Sequence, residues 1–371
     1  MLLGRQPTPC EYCWNIENAN ASAVSDRITK SSSDWAFPYQ GEVIASKLGE
    51  RINPRYLEVS FSNICNFRCS YCSADYSTKW QQEIDQLGPY STGNGGLSSP
   101  ILEEEANPYI AAFWDWWPTL KNDLHVFRIT GGEPLLSKNT WKILDDLEIN
   151  PAPHLQIAIN SNLGVPTELI FKLIEKLKSL LLNEKVGEVR IFTSIDTIGP
   201  DAELMRSGLD TQLFFRHLNL LLSEIPTLRI VIMATYSALS IFKYTELLKV
   251  ILETRKIYVS GERSQPLGIS TSYLRYPEHL SVKLLTEDMV KYPIESLAFM
   301  EKHRFDQESY PAGFTENERN SMKNLIEWFQ IPIEPTKKSF IQNQFVKFYS
   351  EHDARRGTNS TEQLKRIQTW L

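Results

Sequence analysis

The sequence predicts an α/β fold in which short parallel strands alternate with amphipathic helices. Short runs rich in Val, Ile, Phe and Thr recur along the middle of the chain, as buried parallel strands require. Helical periodicity separates them, most clearly at 166–181, where Pro166 lies in the first turn. This alternation predicts a parallel sheet with right-handed crossover connections. Six strands are predicted, at 56–62, 124–130, 154–160, 187–195, 228–235 and 268–274.

Three regions differ in pattern along the 371 residues. Residues 1–54 are irregular and are expected to form an N-terminal leader, and 55–276 contain the six strand–helix units. Residues 277–371, where proline punctuates short helical stretches, are expected to form a small C-terminal helical extension. The net charge of −6 gives no overall attraction to nucleic acid or to an anionic membrane. No apolar run approaches the length of a membrane span.

The leader contains the pair Cys10 and Cys13, followed by Trp14. A C-x2-C pair commonly supplies half of a metal site. Two thiols fall short of a four-ligand shell, so a complete site requires other side chains or thiols from another chain. The alternatives are a reduced pair without metal and the remnant of a lost cluster. Five cysteines in a chain without a signal sequence indicate cytoplasmic thiols rather than a disulfide framework.

Three further cysteines, Cys65, Cys69 and Cys72, lie within eight residues directly after the first predicted strand. Their spacing, C-x3-C-x2-C, allows one compact loop to direct three sulfurs toward one centre. Thiolates bind zinc or iron–sulfur clusters, but structural zinc sites and ferredoxin-type clusters take four protein ligands. No fourth cysteine lies nearby, so an iron–sulfur cube held here keeps one iron free for a small molecule. The other interpretations are a zinc loop that borrows a histidine and three unrelated buried thiols.

This loop resembles the signature loop of the radical S-adenosylmethionine (SAM) enzymes, with Tyr71 as the aromatic residue before the last cysteine. The resemblance implies that the three cysteines hold a [4Fe–4S] cluster whose unique iron chelates the amino and carboxylate groups of SAM. It implies that Tyr71 packs near the adenine. It also implies an open, partial (β/α)6 barrel, similar to a TIM barrel, with function at the carboxyl ends of the strands.

Gly131, Gly132 and Glu133 end the second predicted strand. Glycine lets the backbone approach a ligand closely because no Cβ intervenes, and a neighbouring carboxylate accepts hydrogen bonds from an ammonium group. Alone, this segment is a weak turn signal. About 60 residues after the cysteine loop, it resembles the GGE motif of the same family, which implies contact with the amino group of SAM.

The ends of the third and fourth strands supply further candidates. Asn160 closes the third strand, where its amide is suited to a ribose or a polar substrate. Ser194 and Asp196 resemble the S-x-D ending of peptide-modifying relatives, which implies that Ser194 faces the ribose or carboxylate of SAM. The same resemblance implies that Asp196 faces the ribose hydroxyls or the substrate. Arg206 resembles an R-x-G element that binds the SAM carboxylate through two parallel hydrogen bonds. A turn or cap role is the alternative for each.

Three other segments bear on the organisation of the chain. The leader motif C-x2-C-W-x2-E and the segment 353–358, D-x-R-R-G-T, resemble uncharacterised radical SAM proteins, some of them phage-encoded. Those proteins carry a short "twitch" extension, which implies that 353–358 packs near the barrel mouth. Residues 73–108 form a polar, Gly/Ser-rich insertion that we expect to cover the active face as a lid.

The resemblance implies an enzyme that cleaves SAM reductively to a 5′-deoxyadenosyl radical. That radical then abstracts hydrogen from a peptide, a protein side chain or a small metabolite. A flavodoxin- or ferredoxin-type electron donor is implied, and neither a membrane nor nucleic acid is expected as a partner. Two alternatives stay open: a radical activase of another protein, and a non-catalytic metal-binding or scaffold protein that uses the same thiols.

Overall fold

The computed structural model describes residues 6–19, 25–47, 49–94, 107–260 and 265–367. Its strands are β1 (Tyr56–Ser60), β2 (Arg68–Cys69), β3 (Val126–Thr130), β4 (Ala152–Asn160), β5 (Val186–Thr193), β6 (Arg206–Ser207), β7 (Arg229–Tyr236) and β8 (Leu267–Tyr273). Its helices are α1 (Glu11–Ala19), α2 (Asp26–Ser31), α3 (Gln40–Ala45), α4 (Thr78–Leu87), α5 (Pro108–Asp123), α6 (Lys138–Ile149), α7 (Thr167–Leu182), α8 (Pro200–Met205), α9 (Thr211–Glu224), α10 (Tyr244–Tyr258), α11 (Lys291–Lys302), α12 (Glu316–Gln330), α13 (Pro335–Arg356) and α14 (Thr361–Ile367). Residues 95–106 of the predicted lid lie outside the described ranges.

Six strands form one parallel sheet in the order β1-β3-β4-β5-β7-β8. Each long strand therefore pairs with the next one along the chain, and helices supply the crossovers. Strands β1 and β8 form the two edges of the sheet. This open arrangement confirms the predicted α/β fold with a partial, TIM-like barrel of six units.

The two faces of the sheet differ in character because successive side chains of a strand point to opposite faces. One face is apolar and buried, as at Ile129, Ile159 and Ile191. The amphipathic helices pack their apolar stripes into the same core, for example with Leu173 of α7 and Phe214 of α9. The alternate positions of the strands are polar in many places and are half-buried or exposed.

The C-terminal region contains longer helices than the sequence predicted. Helix α13 has 22 residues and begins with Pro335 as its first residue. Pro293 lies in the first turn of α11. Proline is compatible with a first helical turn because the N–H that it lacks has no partner there. The boundaries at 54/55 and 276/277 stay predictions.

None of the helices in the described part of the chain combines the length and the hydropathy that a membrane span requires.

A buried ion pair joins the C-terminal region to the sheet. Arg255 of α10 is fully buried and pairs with Glu318 of α12. The guanidinium of Arg255 also donates to the carbonyl oxygens of Leu267 and Gly313, at 2.6 and 2.9 Å. Glu318 in turn accepts from the backbone N–H of Ile269 in β8, at 2.9 Å. The pair therefore holds α12 against the edge strand.

Glu318→Gln is expected to lower the free energy of unfolding by about 3 kcal/mol or more, because it leaves the charge of Arg255 buried without compensation. The measurement is urea denaturation of the purified chain. Lys256→Gln breaks the exposed pair with Glu253 and serves as the matched control, with an expected change of about 0.5 kcal/mol or less. An equal loss of unfolding free energy in the two variants contradicts this stabilising role of the Arg255–Glu318 pair.

Candidate active site

A cavity of about 300 Å³ lies at the carboxyl ends of the strands. It brings together nine of the residues that the sequence singled out: Cys65, Cys69, Tyr71, Cys72, Gly131, Gly132, Asn160, Ser194 and Arg206. Four predicted residues do not line it. Glu133 and Asp196 lie behind the lining side chains. In the leader, Cys10 directly precedes α1 and Cys13 lies in its first turn.

The three thiols of the loop are in surroundings that disfavour a bare thiolate. Burial raises the pKa of Cys65 and of Cys72 to about 12, and it raises the pKa of Cys69 above its ordinary value. Two N–H groups nevertheless face the sulfurs: the backbone N–H of Phe67 lies 3.4 Å from Cys65 Sγ, and Nη1 of Arg206 lies 3.7 Å from Cys69 Sγ. Such donors stabilise sulfur once it carries negative charge.

The loop backbone is held from two sides. Residues 68–69 of β2 pair antiparallel with residues 206–207 of β6, and the N–H of Ser70 donates to the Met205 oxygen at 2.7 Å. On the other side, Nε1 of Trp80 in α4 donates to the Cys69 oxygen at 2.9 Å. Ser77, the N-cap of α4, donates to the Phe67 oxygen at 2.7 Å. These bonds fix the direction in which the loop presents its sulfurs.

The two glycines of the GGE motif are required by the cysteine loop itself. A Cβ on Gly132 would lie 2.2 Å from the Ile64 oxygen, and Gly131 has a φ of +119°. The N–H of Gly132 donates to the Ser62 oxygen at 3.0 Å, and the N–H of Glu133 donates to the Ile64 oxygen at 2.6 Å. The sequence attributed these glycines to approach of a ligand. In the structure their nearest neighbour is the backbone that leads into Cys65.

Glu133 does not face the cavity, although the motif implied that it does. Its carboxylate accepts hydrogen bonds from Ser161 Oγ at 2.9 Å and from the backbone N–H groups of Asn162 and Leu135 at 2.7 and 3.1 Å. Burial raises the pKa of Glu133 to about 7 against these donors. The side chain therefore braces the end of β4, and the neighbouring Ser161 and Asn162 line the cavity instead.

Asp196 is fully buried and binds Arg206 through two parallel hydrogen bonds, from Nε at 2.8 Å and from Nη2 at 2.9 Å. It also accepts from Tyr71 Oη at 2.7 Å and from the N–H of Thr235 at 2.8 Å. Asp196 is thus occupied within the protein rather than turned toward a ribose. Arg206 has only Nη1 directed to the cavity, where it donates to Ser194 Oγ at 3.0 Å. The two parallel bonds to a ligand that the sequence suggested are already made to Asp196.

The last turn of α13 contacts the cysteine loop. The sequence predicted that 353–358 packs near the barrel mouth, but it did not predict the partners of Arg356. Arg356 donates from Nε to Glu83 at 3.0 Å and from Nη1 to the Arg68 oxygen at 2.7 Å. The buried carboxylate of Glu83 also accepts from Arg68 Nη1 and from Tyr90 Oη, each at 2.6 Å. Glu83 lies in α4, inside the stretch predicted as an irregular lid. Ser77 as N-cap was the signal for this helix.

Cys10 and Cys13 are half-buried in the leader. Near them the guanidinium of Arg27 lies 3.6 Å from the ring centre of Trp14 and pairs with Glu17. Within the described ranges, no three Cys, His, Asp or Glu side chains are grouped to hold a single metal ion. A metal role for Cys10 and Cys13 stays a prediction.

One family model matches part of this chain. The family model of the radical SAM superfamily matches residues 59–241. The GTP 3′,8-cyclase of Sulfurimonas denitrificans is 26% identical over 155 residues, which cover 42% of this chain and 39% of that protein. The GTP 3′,8-cyclase of Alkaliphilus metalliredigens is 31% identical over 156 residues, 41% of this chain and 39% of that protein. The chain thus spans about two fifths of the length of these curated relatives.

Solved structures are also similar to this chain. Native anSMEcpe with bound AdoMet has 16% sequence identity and a TM-score of 0.42, and the match covers 67% of this chain and 60% of that one. Streptococcus suis SuiB bound to precursor peptide SuiA has 13% identity and a TM-score of 0.43, with 85% and 63% covered.

The raised pKa of Glu133 predicts a pH-dependent stability of the metal-free chain. The folded state binds this proton more tightly than the unfolded state, so Glu133 contributes a stabilisation that is lost as pH rises from about 4.5 through about 7. In wild type, the free energy of unfolding is expected to be lower at pH 8 than at pH 5 because of Glu133. In Glu133→Gln this difference between the two pH values is expected to shrink by up to about 3 kcal/mol. The exposed Glu175→Gln is the control, and an unchanged pH profile in both variants contradicts the prediction.

Arg356→Met is expected to loosen the cysteine loop, since it removes the hydrogen bonds to Arg68 and Glu83. Hydrogen–deuterium exchange of residues 65–72 is expected to rise, while exchange of the buried strand β5 stays unchanged. Lys347→Met, at an exposed position of the same helix, is the matched control. Uniform faster exchange over the whole sheet, or none in the loop, contradicts this role of Arg356.

Proposed function

We propose that this chain is a radical SAM enzyme whose active site is the cavity at the strand ends, because residues 59–241 match the family model of the radical SAM superfamily. The observation that carries the proposal is the lining of this cavity. Three thiols from one eight-residue loop meet polar groups from the ends of β3, β4 and β5 there. Active sites of barrel enzymes lie at this end of the strands.

The donor set of the cavity fits a [4Fe–4S] cluster. Cys65, Cys69 and Cys72 are the thiols available, and each thiolate of such a cube binds a different iron, so the three need not converge on one ion. The N–H groups that face Cys65 and Cys69 support sulfur ligands that carry negative charge. We therefore assign these three residues as cluster ligands. When bound, the cluster and SAM together supply the one-electron cleavage that yields a 5′-deoxyadenosyl radical.

The remaining lining residues have separate tasks in this proposal. We assign Tyr71, Gly131, Gly132, Asn160 and Ser194 to SAM, because they surround the thiols. Nη1 of Arg206 is placed to give one charge-assisted hydrogen bond to the SAM carboxylate. Glu133 and Asp196 act as positioning residues, since their carboxylates hold the end of β4 and the guanidinium of Arg206.

Apolar side chains complete the cavity and keep water away from it. Phe67 of the cysteine loop, Phe192 of β5 and Met233 of β7 also line it. Exclusion of water protects a reactive intermediate from side reactions and strengthens the electrostatic contacts within the site. Phe67 is fully buried, and the Cβ position of Gly164 lies 2.2 Å from its ring. Its ring is therefore held by the packing of the loop after β4.

Radical SAM enzymes require an electron donor and a substrate. We propose a flavodoxin- or ferredoxin-type donor, and a peptide, a protein side chain or a small metabolite as substrate. The curated relatives bear the name GTP 3′,8-cyclase, which adds a nucleotide to the candidates. A radical activase of another protein uses the same cavity and differs only in its substrate. The cytoplasmic location inferred from the free thiols stays a prediction.

Anaerobic reconstitution with iron and sulfide tests the proposal. We expect about four iron atoms in the cavity cluster and release of 5′-deoxyadenosine from SAM under dithionite. Cys69→Ala is expected to abolish both, because it removes one of the three ligands. Cys13→Ala removes a thiol from the leader and is expected to retain nucleoside release. Nucleoside release by Cys69→Ala refutes the ligand assignment, and one tightly bound zinc without SAM cleavage supports the scaffold alternative.

A further inference from the structure

The polar face of the open sheet departs from what parallel sheets ordinarily show. Such sheets are usually buried and apolar on both faces, and the interior of a complete barrel is filled with packed side chains. In this chain one face is apolar, but the other carries Glu58, Arg128, Arg190 and Arg229 at positions that are half-buried or exposed. Charged side chains at such positions of the polar face offer partners for a polar ligand.

Strand register aligns three of these charges in one row. Arg128 of β3 is opposite Ala158 of β4, which is opposite Arg190 of β5, which is opposite Arg229 of β7. Residues at one register of parallel strands point to the same face, and neighbouring strands lie about 4.8 Å apart. We call Arg128, Arg190 and Arg229 the arginine row. Glu58 of β1 continues the row at the edge of the sheet.

The arginine row carries more positive than negative charge, because its three arginines face two carboxylates, those of Glu58 and Glu188. Arg190 is neutralised by Glu188 through two hydrogen bonds of 2.7 and 3.2 Å. Among the described residues, Arg128 has an ion pair only with Glu58, at 3.9 Å, which is too long for a hydrogen bond. Arg229 is exposed and forms no ion pair in the described part of the chain. This local charge contrasts with the net charge of −6 for the whole chain.

Arg128 connects the row to the proposed SAM site. Its Nε donates to Asn160 Oδ1 at 3.0 Å, and its guanidinium carbon lies 4.1 Å from the ring centre of Phe192. Asn160 and Phe192 both line the cavity. The side chain of Arg128 is 19% exposed, so a molecule that lies on the polar face of the sheet can reach it.

We infer that the arginine row binds an anionic group, a carboxylate or a phosphate, of the substrate. The inference rests on the proposed function, because a substrate held by Arg128 lies next to the site assigned to SAM. A guanidinium forms two parallel hydrogen bonds with either anion. The cation–π contact with Phe192 helps to hold the guanidinium in place before the ligand arrives.

Isothermal titration with pyrophosphate and with citrate tests this inference on both the cluster-free and the reconstituted protein. At least one probe is expected to bind wild type, and Arg128→Gln is expected to weaken that binding roughly tenfold or more. Arg216→Gln, at an exposed position of α9, removes the same charge and is expected to leave the affinity within about twofold. Binding of neither probe, or equal affinity in Arg128→Gln and wild type, overturns the inference.

Further measurements identify the type of anionic group and show which of the two proposals fails. Binding of pyrophosphate alone indicates a phosphorylated substrate, binding of citrate alone indicates a carboxylate, and binding of both supports their shared chemistry. If Arg128→Gln does not fold, Arg229→Gln replaces it in the titration. Arg229 is an exposed member of the arginine row, and its substitution is likewise expected to weaken anion binding. Anion binding without SAM cleavage refutes only the proposed function. SAM cleavage without anion binding refutes only the arginine row.

Discussion

The buried ion pair between Asp196 and Arg206 is the interaction on which the geometry of the cavity depends. Asp196 receives four hydrogen bonds, from Arg206 twice, from Tyr71 and from the backbone of Thr235. It thereby joins the segment after β5 to β7, to β6 and to the cysteine loop. Breaking a buried pair of this kind costs about 3–5 kcal/mol, because the remaining charge has no partner. The pair also determines which part of Arg206 reaches the cavity. Nε and Nη2 are bound to Asp196, so Nη1 is the guanidinium nitrogen that faces Ser194 and Cys69.

The two sequence motifs of the site are one structural unit. The turn at 131–133 contacts the backbone of 62–64 so closely that Gly132 tolerates no side chain. Residues far apart in the sequence thus fix each other through backbone hydrogen bonds, which do not depend on any ligand. Their co-occurrence is therefore more informative than either motif alone. Strand pairing between β1 and β3 brings them together, because each motif follows the carboxyl end of one of these strands.

The fold was accessible from the sequence because strand and helix periodicities are local. The predicted strand at 187–195 corresponds to Val186–Thr193, and the predicted helix at 166–181 to Thr167–Leu182. The direction of the side chains at the site was harder to predict from the sequence. Glu133 and Asp196 stand in the expected motifs, but each turns to donors in the protein, Ser161 and Arg206, whose proximity depends on tertiary packing. The arginine row likewise appears only when strand register is known.

The contact between helix α13 and the cysteine loop affects how the chain folds during its synthesis. Its Arg356 holds Glu83 and the backbone of Arg68, across 273 and 288 residues of chain. At a translation rate of roughly 5–20 residues per second, the cysteine loop leaves the ribosome on the order of tens of seconds before Arg356 is synthesised. During this interval the nascent loop lacks one of its restraints. A ligand that reaches the three thiols in this interval therefore meets a loop that is less restrained than in the completed chain.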